Sequence, residues 1–152
     1  KLMANGAVTI GTLDGANVEI HEQVGDDNIF LFGMTADEVN ALWQRGYNPR
    51  EFLTPELERV LQMLTSGALG QRFDDIAASL LTNRFGTADG YMTIADFASY
   101  RDTQRRAAQV YRDQTAFGKM SLVNIAKAGI FSADRAVREY ADRIWGLSGL
   151  EV

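Results

Sequence analysis

Apolar positions along this chain fall into two patterns, short unbroken runs at the start and helical periodicity afterwards. Ala7 to Ile10 is a short, mostly apolar run with β-branched members, bracketed by Gly6 and Gly11, and it predicts a buried strand. Ile29-Phe-Leu-Phe32, ended by Gly33, predicts a second. Between them Asp14-Gly15 is a turn pair, and from Ala16 the chain can pass into a helix that ends over His21-Glu22-Gln23-Val24, with Asp14 placed to cap it. Gly25-Asp26-Asp27-Asn28 is a polar turn. Two such strands joined through a helix predict a right-handed βαβ crossover and a parallel pairing. Two strands alone make no stable sheet, so further strands are expected upstream of Lys1.

From Thr35 the pattern is helical. Thr35-Ala-Asp-Glu38 is a capping box that opens a helix with Val39, Leu42 and Trp43 on one face, stopped near Gly46. Asn48-Pro49 restarts a short turn. Thr54 caps the next helix, with Pro55 at its first position, Gly67 just past its end, and Leu57, Val60, Leu61 and Leu64 as its stripe. Phe73 to Leu81 reads as another amphipathic helix, Asn83 to Gly86 as a break, and Gly86 to Gly90 as a loop, flexible by composition. Thr93-Ile-Ala-Asp96 opens the longest helix, to about Arg112, whose buried face is expected to use Phe97, Tyr100, Ala107, Ala108 and Tyr111. Phe117, Met120, Val123, Asn124 and Lys127 mark a further helix, ended by Gly129. Ser132 caps the last, Ala133 to Trp145, stopped by Gly146, with Val137, Tyr140, Ala141, Ile144 and Trp145 on a common face. A terminal amphipathic helix of this kind is expected to dock on a neighbouring surface. The fold class is therefore α/β, with a βαβ part over 1–34 and a helical part over 35–152.

Composition narrows the function classes. At 152 residues and 46% hydrophobic the chain can bury a core. With no cysteine it has neither a disulfide framework nor a thiolate metal site, and no metal centre is expected. A formal net charge of −5 argues against nucleic acid as a general partner and for a well-solvated surface. No run is long and apolar enough to span a bilayer and no leader is recognisable, so the cytoplasm is the expected location.

Three candidate chemistries follow from the residues. The strand–turn–helix at Ala7 to Ile20 is the kind of place where anions bind, but its spacing is neither G-x-G-x-x-G nor a P-loop, which favours a structural turn. His21, the single histidine, sits among Glu and Gln at a polar helix end and is expected to be solvated rather than catalytic. Arg101, Arg105, Arg106 and Arg112 could form an anion-binding stripe; without interleaved exposed aromatics, a solvated face partly neutralised by Asp102 and Asp113 is the better reading.

The opening K-L-M-A-N-G-A-V-T-I-G-T-L-D-G-A-N-V-E-I resembles the glycogen/starch (α-glucan) phosphorylase family, in the stretch that begins at the lysine holding pyridoxal 5'-phosphate. Asn28-Ile-Phe-Leu-Phe-Gly33 agrees, as does Gly129-Ile-Phe-Ser-Ala-Asp-Arg-Ala-Val-Arg-Glu-Tyr-Ala141 with Ile144-Trp145. Ala4 departs from the family, which usually carries Leu or Met there, while Asn5-Gly6 is intact. The resemblance implies that Lys1 is the cofactor lysine and that the chain is the last part of a longer enzyme, since the family's Gly-rich E-A-S-G-T segment lies before that lysine. It implies the end of a glycosyltransferase-B (Rossmann-like) domain, and an enzyme that releases glucose 1-phosphate from α-1,4-glucan (glycogen, starch or maltodextrin) with inorganic phosphate. By the same resemblance the parent is a homodimer and Lys1 is a tether rather than a catalytic group; no other residue here matches a family contact to glucan or phosphate, and Asp14, Asn17 and Glu19 are read as turn and packing residues. The 152-residue chain alone is expected to be inactive.

Two other classes stay open. One is a non-catalytic helical interaction module derived from a phosphorylase, which would take up no cofactor. The other is a sugar-nucleotide glycosyltransferase of related fold, which would leave Lys1 unmodified.

Overall fold

The computed structural model describes residues 1–147. Its first feature is a single 3-10 turn at Met3–Asn5, closed by Gly6 in the left-handed region at φ 81°. β1 (Ile10–Gly11) and β2 (Phe30–Leu31) pair in parallel, Ile10 opposite Phe30 and Gly11 opposite Leu31. The strands are shorter than the apolar runs that predict them. Ala7 spends its N–H on the Leu2 carbonyl at 3.1 Å, closing the first turn, so regular pairing starts only near the Phe30 N–H bond to Thr9. It ends with Phe32 N–H donating to the Gly11 carbonyl at 3.1 Å.

α1 (Ala16–Val24) joins the two strands. Asp14 does not cap it: Gly15 takes the cap position without a side-chain bond, and the Asp14 carboxylate accepts from the Thr12 hydroxyl. The turn is closed instead by Asn17, whose Nδ2 donates to the Thr12 carbonyl at 2.9 Å.

The helices that follow are α2 (Ala36–Arg45), α3 (Pro55–Ser66), α4 (Asp74–Leu81), α5 (Phe97–Arg112), α6 (Gln114–Lys127) and α7 (Ala133–Tyr140). Thr35 and Glu38 form the expected capping box on α2; Thr54 caps α3, with Gly67 left-handed at its end. Leu57 and Leu61 are buried beneath α3, whereas Val60 turns outward.

Two apolar clusters organise the interior. Met3, Val24 and Ile29 pack with Ile20 and Val123 on one side, and Phe30, Ala107 and Met120 with Val8, Ile10 and Val110 on the other. α6 contributes to both, so it is the element that ties the opening turn, α1 and β2 to α5. Each large side chain buried here is worth about 1.5–3 kcal/mol over leaving it in water.

Three expectations for the later chain are corrected. The Gly86 to Gly90 segment is folded in, with Ala88 and Asp89 buried. The longest helix starts at Phe97 rather than at Thr93: the Thr93 and Ile94 N–H groups are held by the Asp89 carboxylate, and the Asp96 carboxylate, at the cap position, accepts from the Met34 N–H at 3.0 Å. Its buried positions are Thr103 and Ala107, while Tyr100 and Tyr111 are exposed: they cross the chain's edge rather than its centre. Past α7 the chain continues in a π-helical turn, Ala141–Trp145, ended by Gly146, and among the described residues Val137, Tyr140, Ile144 and Trp145 are exposed.

Candidate functional site

Lys1 lies at the lip of a broad groove of about 1010 Å3. One wall is the opening turn, with Leu2 and Met3; another is α1, through Ala16, Asn17 and Ile20; the third comes from the end of α6 and the segment to Ser132, through Ile125 and Phe131. Lys1 is exposed, and its carbonyl accepts from Asn5 Nδ2 at 2.9 Å. The Asn5-Gly6 pair thus has a mechanical function. Asn5 ties the turn back to Lys1, and Gly6 lets it approach α6.

That approach is close. Ser121 Oγ donates to the Gly6 carbonyl at 2.7 Å, and a Cβ on Gly6 would stand 2.3 Å from the same oxygen. Any side chain there would break the bond that fixes the turn, and glycine's tolerance of φ 81° serves the same end.

Deeper in, Asn124 is 0% exposed, and its Nδ2 donates to the Asn28 carbonyl at 2.8 Å and the Met120 carbonyl at 3.0 Å. Its Oδ1 is buried with no partner. This side chain holds the entry of β2 against α6, the helix whose next residue, Ile125, lines the Lys1 groove.

Ile20, Ile125 and Phe131 give the groove beside Lys1 an aliphatic and aromatic lining, the kind of wall a flat, largely apolar ring packs against. It does not supply a phosphate cradle. Lys1 is the one cation among its described lining residues. The described lining is therefore compatible with a ring held through Lys1 and does not account for a phosphate group attached to that ring.

A second cavity, of about 490 Å3, opens at the carboxyl ends of both strands. Thr12, Asp14 and Phe32 leave the strands into it, and Tyr91, Asp96 and Tyr100 face it from the other side. Phe32 and Tyr100 meet edge to face with centroids 5.1 Å apart. Burial raises the Asp96 carboxyl above its usual range and the Met34 N–H pulls it back down, with the charges of Asp89 and Glu38 raising it further.

Asp89, behind this cavity, is a buried carboxylate that sequence reasoning passes over as part of a loop. At 3% exposure it accepts from the Tyr47 hydroxyl at 2.6 Å and from the Thr93 and Ile94 N–H groups at 2.8 Å. Burial, and then the Asp89 carboxylate, push the Tyr47 hydroxyl far above its ordinary value, so it stays a donor. The Thr93 and Ile94 donors are local, but nothing in the local pattern could reveal the Tyr47 hydroxyl, 42 positions away.

The remaining candidates resolve into structural roles. His21 is half-buried, with Nε2 2.5 Å from the Asp26 carboxylate, and so is less solvated than expected. Arg101 is held charged by Asp102 and Glu56, Arg105 pairs with Asp102, and Arg106 lies over the Phe30 ring at 5.4 Å. Asp113 caps α6 through the Thr115 and Ala116 N–H groups instead of neutralising the arginines. Among the described residues no group of three or more His, Cys, Asp or Glu could hold a metal ion, and no helix is long and apolar enough to cross a membrane.

Comparison with known proteins agrees with the opening motif. The family model for carbohydrate phosphorylase matches residues 1–147. The chain is 41% identical over 149 residues to glycogen phosphorylase of Synechocystis, and 40% identical to the muscle form of glycogen phosphorylase of Rattus norvegicus. It is 41% identical to the brain form of Mus musculus. In each case 97% of this chain is covered, but it spans only 17–18% of the relative's length. A match that runs from the Lys1 turn through α7, across the groove they frame, leaves one assignment: the chain belongs to the carbohydrate phosphorylase family.

Proposed function

We propose that this chain is the cofactor-tethering end of an α-1,4-glucan phosphorylase, which uses inorganic phosphate to release glucose 1-phosphate. The observation that carries the reading is the placement of Lys1, on a turn locked by Asn5 and by the Gly6–Ser121 bond, beside an apolar groove. In that reading bound pyridoxal phosphate supplies a phosphate group able to exchange a proton with the substrate phosphate. The chain's own residues do the positioning. Lys1 anchors the ring by its amine, while Ile125 and Phe131 offer it an apolar wall and exclude water from one face. Asn124 holds the wall's backbone in place. Because the described groove lining provides no cation besides Lys1 for the phosphate end, residues 1–152 alone should bind the cofactor weakly and show no phosphorolysis.

Borohydride reduction of the full-length protein, followed by peptide mass spectrometry, tests the tether. A pyridoxyl adduct on Lys1 is expected. An unmodified Lys1 in cofactor-saturated, active protein would overturn the assignment.

A further inference from the structure

We propose that the cavity at the carboxyl ends of β1 and β2 is a sugar-binding site, which takes a glucosyl segment of an α-glucan at a place separate from the Lys1 groove. That the sugar is α-glucan rests on the function proposed above; that the ligand is a sugar rests on the cavity.

Its location is where open parallel sheets hold ligands, beyond the carboxyl ends of adjacent strands. Its lining is selective. Phe32, Tyr91 and Tyr100 bring aromatic surface, Asp14 and Asp96 bring carboxylates, and Thr12 brings a hydroxyl. Among the described residues no lysine or arginine lines it, which disfavours a phosphate or other anion. A pyranose presents an apolar C–H face to an aromatic ring and a rim of hydroxyls that donate to carboxylates, and this lining matches both.

Tyr91 gives the strongest indication. It is 96% exposed, held out over the cavity by a turn in which two non-glycine residues, Asp89 at φ 47° and Met92 at φ 56°, occupy the left-handed region. Such conformations are strained and persist only where the surroundings impose them. Here the three bonds to the Asp89 carboxylate do so, and Met92 is buried beneath. The turn therefore fixes a tyrosine in water at the rim of a cavity that already contains three aromatic rings, Phe32, Phe97 and Tyr100. A stacking platform accounts for that placement.

The test is electrophoresis of the full-length protein through gels containing soluble maltodextrin, with no phosphate present, so retention is read apart from catalysis. Tyr91→Ala should weaken retention about fivefold to tenfold, as expected for one aromatic stacking contact. Tyr91→Trp should restore it, and Asp14→Asn should weaken it. Because Tyr91 is exposed in this chain, Tyr91→Ala should leave the melting midpoint unchanged. Unchanged retention in both weakening variants would overturn the proposal. So would a fall in the melting midpoint of Tyr91→Ala, which would mark the face as a protein-packing surface. Failure of the phosphorylase reading would be distinct: retention would respond to Tyr91→Ala while no glucose 1-phosphate formed.

Discussion

The side-chain amide of Asn124 donates to the main-chain carbonyl of Asn28 at 2.8 Å, joining α6 to the entry of β2 across 96 positions of sequence. The same amide donates to Met120 within its own helix, so one buried group satisfies two carbonyls. Asn124→Ala removes both bonds and leaves the Asn28 carbonyl without this donor. It should destabilise the protein by roughly 2–3 kcal/mol, read as a lower denaturant midpoint of the full-length protein. Asn124→Leu should do no better, since the donor is still missing. A midpoint unchanged in both would show that the bond contributes nothing.

Gly33 makes a second test of close packing. Its φ is 80°, and a Cβ there would meet Asp96 Oδ2 at 2.6 Å. Gly33→Ala combines left-handed strain with a clash, and should cost more than about 1 kcal/mol. Hydrogen exchange should report it at the Met34 amide, whose acceptor is the displaced carboxylate.

The capping box at Thr35 has a titration signature. The Thr35 N–H and hydroxyl both donate to Glu38, holding its carboxyl below the usual 4.5. A depressed carboxylate contributes stability that is present above its unfolded value and lost as pH falls through the folded one. Thr35→Val removes the hydroxyl but keeps the N–H, so the Glu38 titration, followed by NMR, should move up partway toward 4.5.

Asp96 has the opposite sign. Burial raises its carboxyl above 3.8, so its contribution favours the fold when it is protonated and is lost as pH rises through the raised value. Asp96→Asn keeps an acceptor for the Met34 N–H without the charge. Stability of this variant should fall less, as pH rises above 3.8, than that of the parent, measured as melting midpoint against pH.

Ile144 and Trp145 are 68% and 59% exposed within this chain. In the full-length protein, which extends well beyond these residues in the relatives, that face is expected to be covered. Trp145→Ala in the full-length protein should then cost roughly 3–5 kcal/mol. An unchanged melting midpoint would show the face to be free.

What could be read from the sequence was what neighbouring residues decide among themselves. The Thr35–Glu38 box, the Thr54-Pro55 start with its Gly67 stop, and the Ser132 cap are each settled within a turn of chain or at a helix end, and each stands as expected. The parallel pairing was legible for another reason: two apolar runs joined through a helix meet in parallel by the handedness of the crossover, not by local contacts. Strand length was not, because the Ala7 N–H is claimed by Leu2, a competition that apolar patterning does not register. Asp and Gly favour turns, so composition alone places Asp89 in a flexible loop. Its three donors, one of them on Tyr47, turn that composition into a buried anchor. Asn124 could be placed on the packed face of its helix from periodicity, but not its bond to Asn28. Lys1 as a candidate tether came from the motif alone; no property of an isolated lysine distinguishes it.

The bond between Ser121 and Gly6 also imposes an order of events on the ribosome. The turn bearing Lys1 is among the first parts of this segment to leave the exit tunnel, yet its clamp lies 115 residues later. At about 5–20 residues per second, that interval is roughly 6–23 s of translation. Until α6 has emerged, the nascent turn has neither its Ser121 donor nor its apolar backing, and the lysine is presented without a formed groove beside it. Maturation of the Lys1 site therefore waits for nearly the whole segment to be synthesised, and a stalled or truncated chain ending before Ser121 carries the lysine without the geometry that gives it a role.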